Sequence, residues 1–150
     1  MSYKLEIQAS FDCQMAIEDA FDYIVDFSNI HEWDHSVLSS RKISDGDLGL
    51  GAKFDLVLLM GSREVPLAYE ITEFDTPNRA VLTGTNAKFS AVDTVELTRV
   101  KDGCRVEWRA NLEFTGITAL IVRFKAKKIK AGGIQTIRDL EKKLTEENEP

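Results

Sequence analysis

An α+β fold follows from three features of the sequence. One alternating strand opens the chain, a run of strands with short turns fills its middle, and a long amphipathic helix ends it. No repeat, low-complexity tract or Pro/Gly-rich linker interrupts the 150 residues, so they are expected to form one domain, 1–150.

YKLEIQA alternates apolar and polar residues, which puts Tyr3, Leu5 and Ile7 on one face of a half-buried strand. In MAIEDAFDYIVDF the period lengthens, and Ile17, Phe21 and Ile24 recur at helical spacing with acids between them. A short turn or helix over 28–33 follows, with Ser28 as its expected N-cap. From Ser36 to Phe114 the turn signals SDGDLGLG, MGSRE, DTPN, TNAK and KDG separate successive strands, the first three near 36–44, 51–60 and 65–75. Six such strands with short connections make an antiparallel meander.

The last hairpin can be registered from its turn. If Asp102-Gly103 is a two-residue loop, Lys101 faces Cys104, Leu97 faces Trp108, Val95 faces Ala110 and Asp93 faces Leu112. Glu96 then meets Arg109 and Thr98 meets Glu107, so the faces sort into apolar and charged, with Asp93 alone on the apolar side. After FTG, the residues Ile117, Leu120, Ile121, Phe124, Ile129, Ile137, Leu140 and Leu144 describe a helix running to the C-terminus, interrupted at Gly132-Gly133. Each glycine costs about 1 kcal/mol against alanine there. The pair marks a bend, a close contact with a short helix below, or room for a ligand.

Composition narrows the function classes. With 43% hydrophobic and 29% charged residues the chain reads as an ordinary globular protein, and a net charge of −6 argues against nucleic acid as a partner. No apolar run is long enough to span a bilayer, and MSYKLEIQAS lacks secretory features. Cys13 and Cys104 make no disulfide framework, and they are expected to be reduced thiols in a cytoplasmic protein.

HEWDH, residues 31–35, spells the zinc-protease pattern H-E-x-x-H and contains both histidines of the chain. That chemistry needs a helix to aim the two rings at one ion, together with a third ligand. Here DFSN precedes the motif and the strand pattern SVLSSRKI follows, leaving hardly two turns and no third histidine. A structural corner is the expected reading, with no metal and no cofactor.

FDYIVDFSNIHEWDHSV, followed by LGLGAKF, YEITEFDTPNRAVLTG and DGCRVEWRANLEFTG, resembles the polyketide cyclase/dehydrase and lipid-transport branch of the START/Bet v 1-like (SRPBCC) superfamily, from about residue 3 to about residue 145. The resemblance implies a helix-grip fold: a curved seven-stranded antiparallel sheet wrapped around a long C-terminal helix, with two short helices after the first strand and a cavity between sheet and helix. It also implies that Trp33 plugs the second short helix into the core and that Asp34 ends that helix.

Strand alternation gives the expected lining independently. Phe54, Leu56, Leu58 and Met60 point inward, as do Leu67, Tyr69, Ile71, Phe89, Asp93, Val95, Trp108, Ala110, Leu112 and Phe114; the strand over 79–85 has no clear parity. Phe124 of the helix is expected to join them. Such a lining fits a small-molecule pocket, or a core that simply fills against the helix. A small hydrophobic ligand, such as a lipid, an isoprenoid or a polyketide-like aromatic, is the expected partner. The alternative is a cyclase or aromatase using Tyr69 and Asp93, since a desolvated carboxyl with a raised pKa can act as a general acid. A third class, an interaction module like the co-chaperone relatives of the superfamily, needs an exposed apolar patch that the sequence does not display. Arg123, Lys127 and Lys130, in RFKAKKIK, form either a solvated helix face or a contact for anionic lipid headgroups. Finally, TNAK, FTGI and MGSRE should share one end of the sheet, where Gly61, Ser62, Asn86, Gly116 and Ile117 rim an entrance.

Overall fold

The computed structural model describes residues 1–147. Strand β1 (Ser2–Cys13) is followed by α1 (Ile17–Val25) and a 3-10 helix, Phe27–Glu32. Then come β2 (Val37–Lys42), β3 (Lys53–Met60), β4 (Arg63–Asp75), β5 (Arg79–Thr85), β6 (Phe89–Val100), β7 (Gly103–Thr115) and α2 (Gly116–Glu147). The seven strands form one antiparallel sheet in the order β1-β7-β6-β5-β4-β3-β2. The meander runs from β2 to β7, and β1 pairs with β7 on its outer edge. Register shifts between Val37 and Ser39 and between Ile71 and Glu73 bend the sheet, as an unpaired residue does. The result is the expected α+β helix-grip architecture.

α1 buries Ile17, Ala20, Phe21, Ile24 and Val25, and keeps Glu18 and Asp19 in its first turn, where the helix dipole favours acids. The cap of the 3-10 helix is Asp26 rather than Ser28: Asp26 Oδ1 accepts from both Ser28 N and Ser28 Oγ. Trp33 closes that helix and is 2% exposed. Asp34 Oδ1 then accepts from Ser36 N and Ser36 Oγ, turning the chain into β2.

The β6–β7 hairpin corrects the expected register by two residues. Val100 pairs with Gly103, Val95 with Trp108 and Asp93 with Ala110, so the loop is Lys101-Asp102 and Asp102 takes φ +67°. Gly103 belongs to the strand because a side chain there would strike β1: its Cβ would lie 1.9 Å from the Cys13 carbonyl oxygen. Glu96 therefore faces Glu107, and Arg109 reaches it only diagonally, at 3.7 Å. A two-residue slip preserves parity, so the inward set stands. β5 acquires its parity from its neighbours: Ala80, Leu82 and Gly84 pair with inward Val95, Asp93 and Ala91.

α2 runs unbroken through Gly132-Gly133, and the expected interruption is absent. It packs chiefly on β1 and β7. Its buried stripe is Ala119, Val122, Ile137, Leu140 and Leu144, with Ile129 and Gly133 half-buried on the same side. Gly133 rests on a strand, not on a short helix: a Cβ there would lie 2.7 Å from Ile7 Cδ1. Ile117, Leu120, Ile121 and Phe124, expected in this stripe, are exposed. The expected continuation of the helix over 148–150 lies outside the described residues.

Candidate ligand site

The inner face of the sheet is apolar along nearly its whole width. Phe54, Leu56, Ile71 and Val95 are no more than 2% exposed, and Tyr69, Phe89 and Trp108 no more than 8%. Burying a side chain of this size is worth about 1.5–3 kcal/mol, so these positions also carry much of the fold's stability. Burial is graded along the strands. On β3 it falls from Phe54 and Leu56 to half-buried Leu58 and Met60, and on β4 from Ile71 and Leu67 to half-buried Val65. Ala110 and Leu112 on β7 are likewise half-buried. The loose positions of β3 and β4 meet at one end, where Leu58 pairs with Val65.

TNAK lies toward that end. Lys88 O accepts from Thr115 N and Thr115 Oγ1, at 3.0 and 3.1 Å, and Asn86 Nδ2 donates to Pro66 O at 3.1 Å. TNAK thus meets the start of α2 on one side and Pro66 of β4 on the other, and Gly61, Ser62, Gly116 and Ile117 are exposed while Asn86 is half-buried.

Deeper in, Asp93 is held by two internal donors. Tyr69 Oη donates to Asp93 Oδ2 at 2.7 Å, and Trp108 Nε1 to Asp93 Oδ1 at 3.1 Å. Burial pushes the Asp93 carboxyl up to about 6 against the pull of the Tyr69 and Trp108 hydrogen bonds, with a smaller push from Asp34. Burial, and then the Asp93 charge, raise the Tyr69 phenol well above its ordinary value. Asp34 is itself raised, by burial first, against the hydrogen bonds from Ser36. Tyr69 reaches Asp93 because its cross-strand neighbour is Gly84: a Cβ there would lie 2.8 Å from the Tyr69 ring. Glycine in a strand interior is a sign of such close approach. Around the carboxyl stand Phe27, stacked with Trp108 at 6.1 Å and edge-on to Tyr69 at 4.9 Å, and Trp33, edge-on to Trp108 at 5.4 Å. Phe27 is a member of this group that strand alternation could not supply, because it comes from the 3-10 helix.

HEWDH does not bring its histidines to one point. His31 Nδ1 lies 2.9 Å from Ser40 Oγ, while His35 Nε2 lies 3.8 Å from Asp139. The described residues contain no group of three His, Cys, Asp or Glu able to hold a metal.

Phe124 stands apart from the buried lining, at 83% exposure. With Ile117, Leu120 and Ile121 it forms an exposed apolar stripe on the first half of α2, a patch that was not expected from the sequence. Exposed Arg123, Lys125, Lys127, Lys128 and Lys130 accompany it, and no acid occurs between Gly116 and Arg138. No helix among the described residues is long and apolar enough to cross a membrane.

Two grooves of about 360 and 350 Å³ lie elsewhere, on the outer face of the sheet. Outward Gln8, Ser10, Thr94, Glu96, Glu107 and Arg109 line one, and Lys53, Glu70, Thr72, Thr83 and Thr85 line much of the other. The polar walls of the first do not suit an apolar ligand, whereas the second adds Ile43, Phe54, Ala68 and Tyr69 to its polar residues.

Residues 4–145 match the sequence profile of the polyketide cyclase/dehydrase and lipid transport family. No curated protein matches the chain. Among solved structures, TTHA0849 from Thermus thermophilus superposes with a TM-score of 0.78 at 18% identity, covering 96% of this chain and 99% of that one. A conserved protein from Geobacillus kaustophilus gives 0.70 at 16% identity, covering 95% and 96%. Ara h 8.0201 gives 0.65 at 10% identity, covering 95% and 98%. At these identities the structural likeness speaks for the fold.

Proposed function

The chain belongs to the polyketide cyclase/dehydrase and lipid transport family, and from that premise we propose that it binds and carries a small hydrophobic molecule between the sheet and α2. The observation that carries this reading is the gradient of burial along the inner face. The same strands that seal around Phe54, Leu56 and Ile71 loosen to half-buried Leu58, Met60 and Val65 at the end where Gly116 starts α2. α2 lies chiefly over β1 and β7, so it offers little cover to these positions. An apolar chain or ring entering there meets aliphatic walls first and the Tyr69–Asp93–Trp108 group at depth.

The first half of α2 supports the source of the cargo. Its apolar stripe, accompanied by five exposed cations in a protein of net charge −6, suits a transient contact with an anionic bilayer surface beside the entrance. Each cation near such a surface contributes about 1 kcal/mol.

A transfer assay with a fluorescent fatty acid tests both parts. The protein should take the probe from phosphatidylserine-containing vesicles faster than from neutral ones. Replacing Arg123, Lys127 and Lys130 with glutamate should remove that preference and leave equilibrium binding of the probe intact. Hydrogen exchange on probe binding should slow at Gly61–Ser62, Asn86 and Gly116–Ile117. Protection around Thr76–Asn78 instead would place the opening at the other end, and absence of probe binding would end the reading.

The second reading, a cyclase or aromatase, is favoured by one observation: a carboxyl raised to about 6 beside a phenol at the inner wall. Both carboxylate oxygens are already engaged by internal donors, which suits orienting a ligand better than passing it a proton.

A further inference from the structure

Cys13 and Cys104 are 91 positions apart in sequence and direct cross-strand partners at the end of the β1–β7 ladder. Their Sγ atoms lie 3.5 Å apart, with both thiols free. Gly103 lets the two backbones approach here, since any side chain would collide with the Cys13 carbonyl. The two sulfurs differ in access: Cys104 is fully buried, while Cys13 is partly open to solvent.

We propose that this pair is an oxidisable dithiol that hydroperoxides convert reversibly into a disulfide stitching the first strand to the last. Cys13 is the attacking sulfur. Its hydrogen bond with Cys104 pulls its thiol down to about 7, against burial, which opposes the charged form. Asp12 and Glu141 nearby also oppose it, although Asp12 is held by Arg105 at 2.8 Å, which offsets its charge. Cys104 is shifted upward, with the hydrogen bond to Cys13 as the largest cause and burial next, and so remains a thiol. A thiolate, not a thiol, is the nucleophile in this chemistry.

The steps balance. The Cys13 thiolate attacks the terminal oxygen of a hydroperoxide, the O–O bond breaks, and the alkoxide leaves and takes a proton as the alcohol. Cys13 is then a sulfenic acid. The Cys104 sulfur attacks it, the S–S bond forms, and hydroxide leaves with the Cys104 proton as water. The sulfurs must close from 3.5 Å to about 2 Å, a short movement for side chains whose strands are already paired. A second dithiol, such as dithiothreitol, reverses the reaction by exchange.

Treating the whole protein with hydrogen peroxide and reading intact mass and free-thiol titre tests the proposal without any variant. The expected result is loss of two hydrogen masses within one chain, both thiols disappearing together and returning with dithiothreitol. In C104S the sulfenic acid on Cys13 should persist and be trapped by dimedone, while in C13S the Cys104 thiol should stay reduced. Oxygen atoms added at Cys13 with Cys104 still free in the wild type would overturn the pairing. Disulfides between chains, or two unreacted thiols, would overturn it equally. The outcome is independent of whether the protein binds a ligand.

Discussion

The two halves of α2 both carry large apolar residues, mostly exposed in the first half and mostly buried in the second. In the second half Ile137, Leu140 and Leu144 are at most 5% exposed, and Arg138 Nη1 anchors the helix to Ser10 O of β1 at 2.9 Å. In the first half Ala119 and Val122 do the packing, while Ile117, Leu120, Ile121 and Phe124 range from 42% to 83% exposed. Helical period therefore says that a stripe exists. It does not say which neighbour covers it. Where the helix leaves apolar side chains open beside cations, stability gives way to a surface available for contact.

Truncation should separate the halves most strongly. Leu140→Ala removes a fully buried side chain and should cost about 2–5 kcal/mol in urea denaturation, whereas Phe124→Ala should stay within about 0.5 kcal/mol. A large loss at Phe124 would mean that its ring is covered in solution, and the contrast between the halves would fail.

The misplacement of Phe124 in the sequence reading has a geometric cause. Successive helical residues step by about 100°, so the five-residue step from Phe124 to Ile129 turns roughly 140° away from the first stripe. The apolar pattern thus merges two faces of the helix into one. The strands were more legible because alternation survives error: reading Asp102-Gly103 as the turn shifted the hairpin by two residues and left every inward residue inward. Parity found Tyr69, Asp93 and Trp108, but not that they touch, since that depends on Gly84 making room across β5. The thiol pair was invisible for another reason. It depends on β1 extending to Cys13 and pairing with β7, a contact that no local pattern encodes.

The closed interior should also show itself through pH. The Asp93 carboxyl titrates at about 6 when folded, against an ordinary value of 3.8. Between those values the native state holds a proton that the unfolded chain has released, so raising pH favours unfolding. The stabilising share is fully present below about pH 4 and is lost as pH passes about 6, a swing of about 2–3 kcal/mol. Asp34 is raised in the same direction and remains in any Asp93 variant. Asp93→Asn will shift stability at every pH, because an amide cannot accept from both Tyr69 and Trp108 as the carboxylate does. The diagnostic is the slope: wild type should lose stability relative to Asp93→Asn from pH 4 to pH 7. Parallel curves would mean that Asp93 is ionised throughout.

The finest test uses two adjacent glycines that the sequence could not tell apart. Both sit in the interior of α2, so alanine at either should gain about 1 kcal/mol of helix propensity. Their surroundings differ. A Cβ on Gly132 meets nothing within 4 Å, so Gly132→Ala should keep that gain and stabilise the protein by about 0.5–1 kcal/mol. A Cβ on Gly133 meets Ile7 Cδ1 at 2.7 Å and Ile7 Cγ2 at 3.0 Å. Cδ1 can swing aside, but Cγ2 is fixed close to the β1 backbone, so the helix or the strand must shift. Overpacking of this kind costs about 1–3 kcal/mol, which leaves Gly133→Ala destabilising after the propensity gain is subtracted. Combining it with Ile7→Val, which removes Cδ1 and keeps Cγ2, should recover part of the loss, and a double-mutant cycle of thermal melts measures that coupling. Stabilisation by both alanines would show that α2 rides further from β1 than this packing requires. The glycines would then be spare room under the helix rather than a contact.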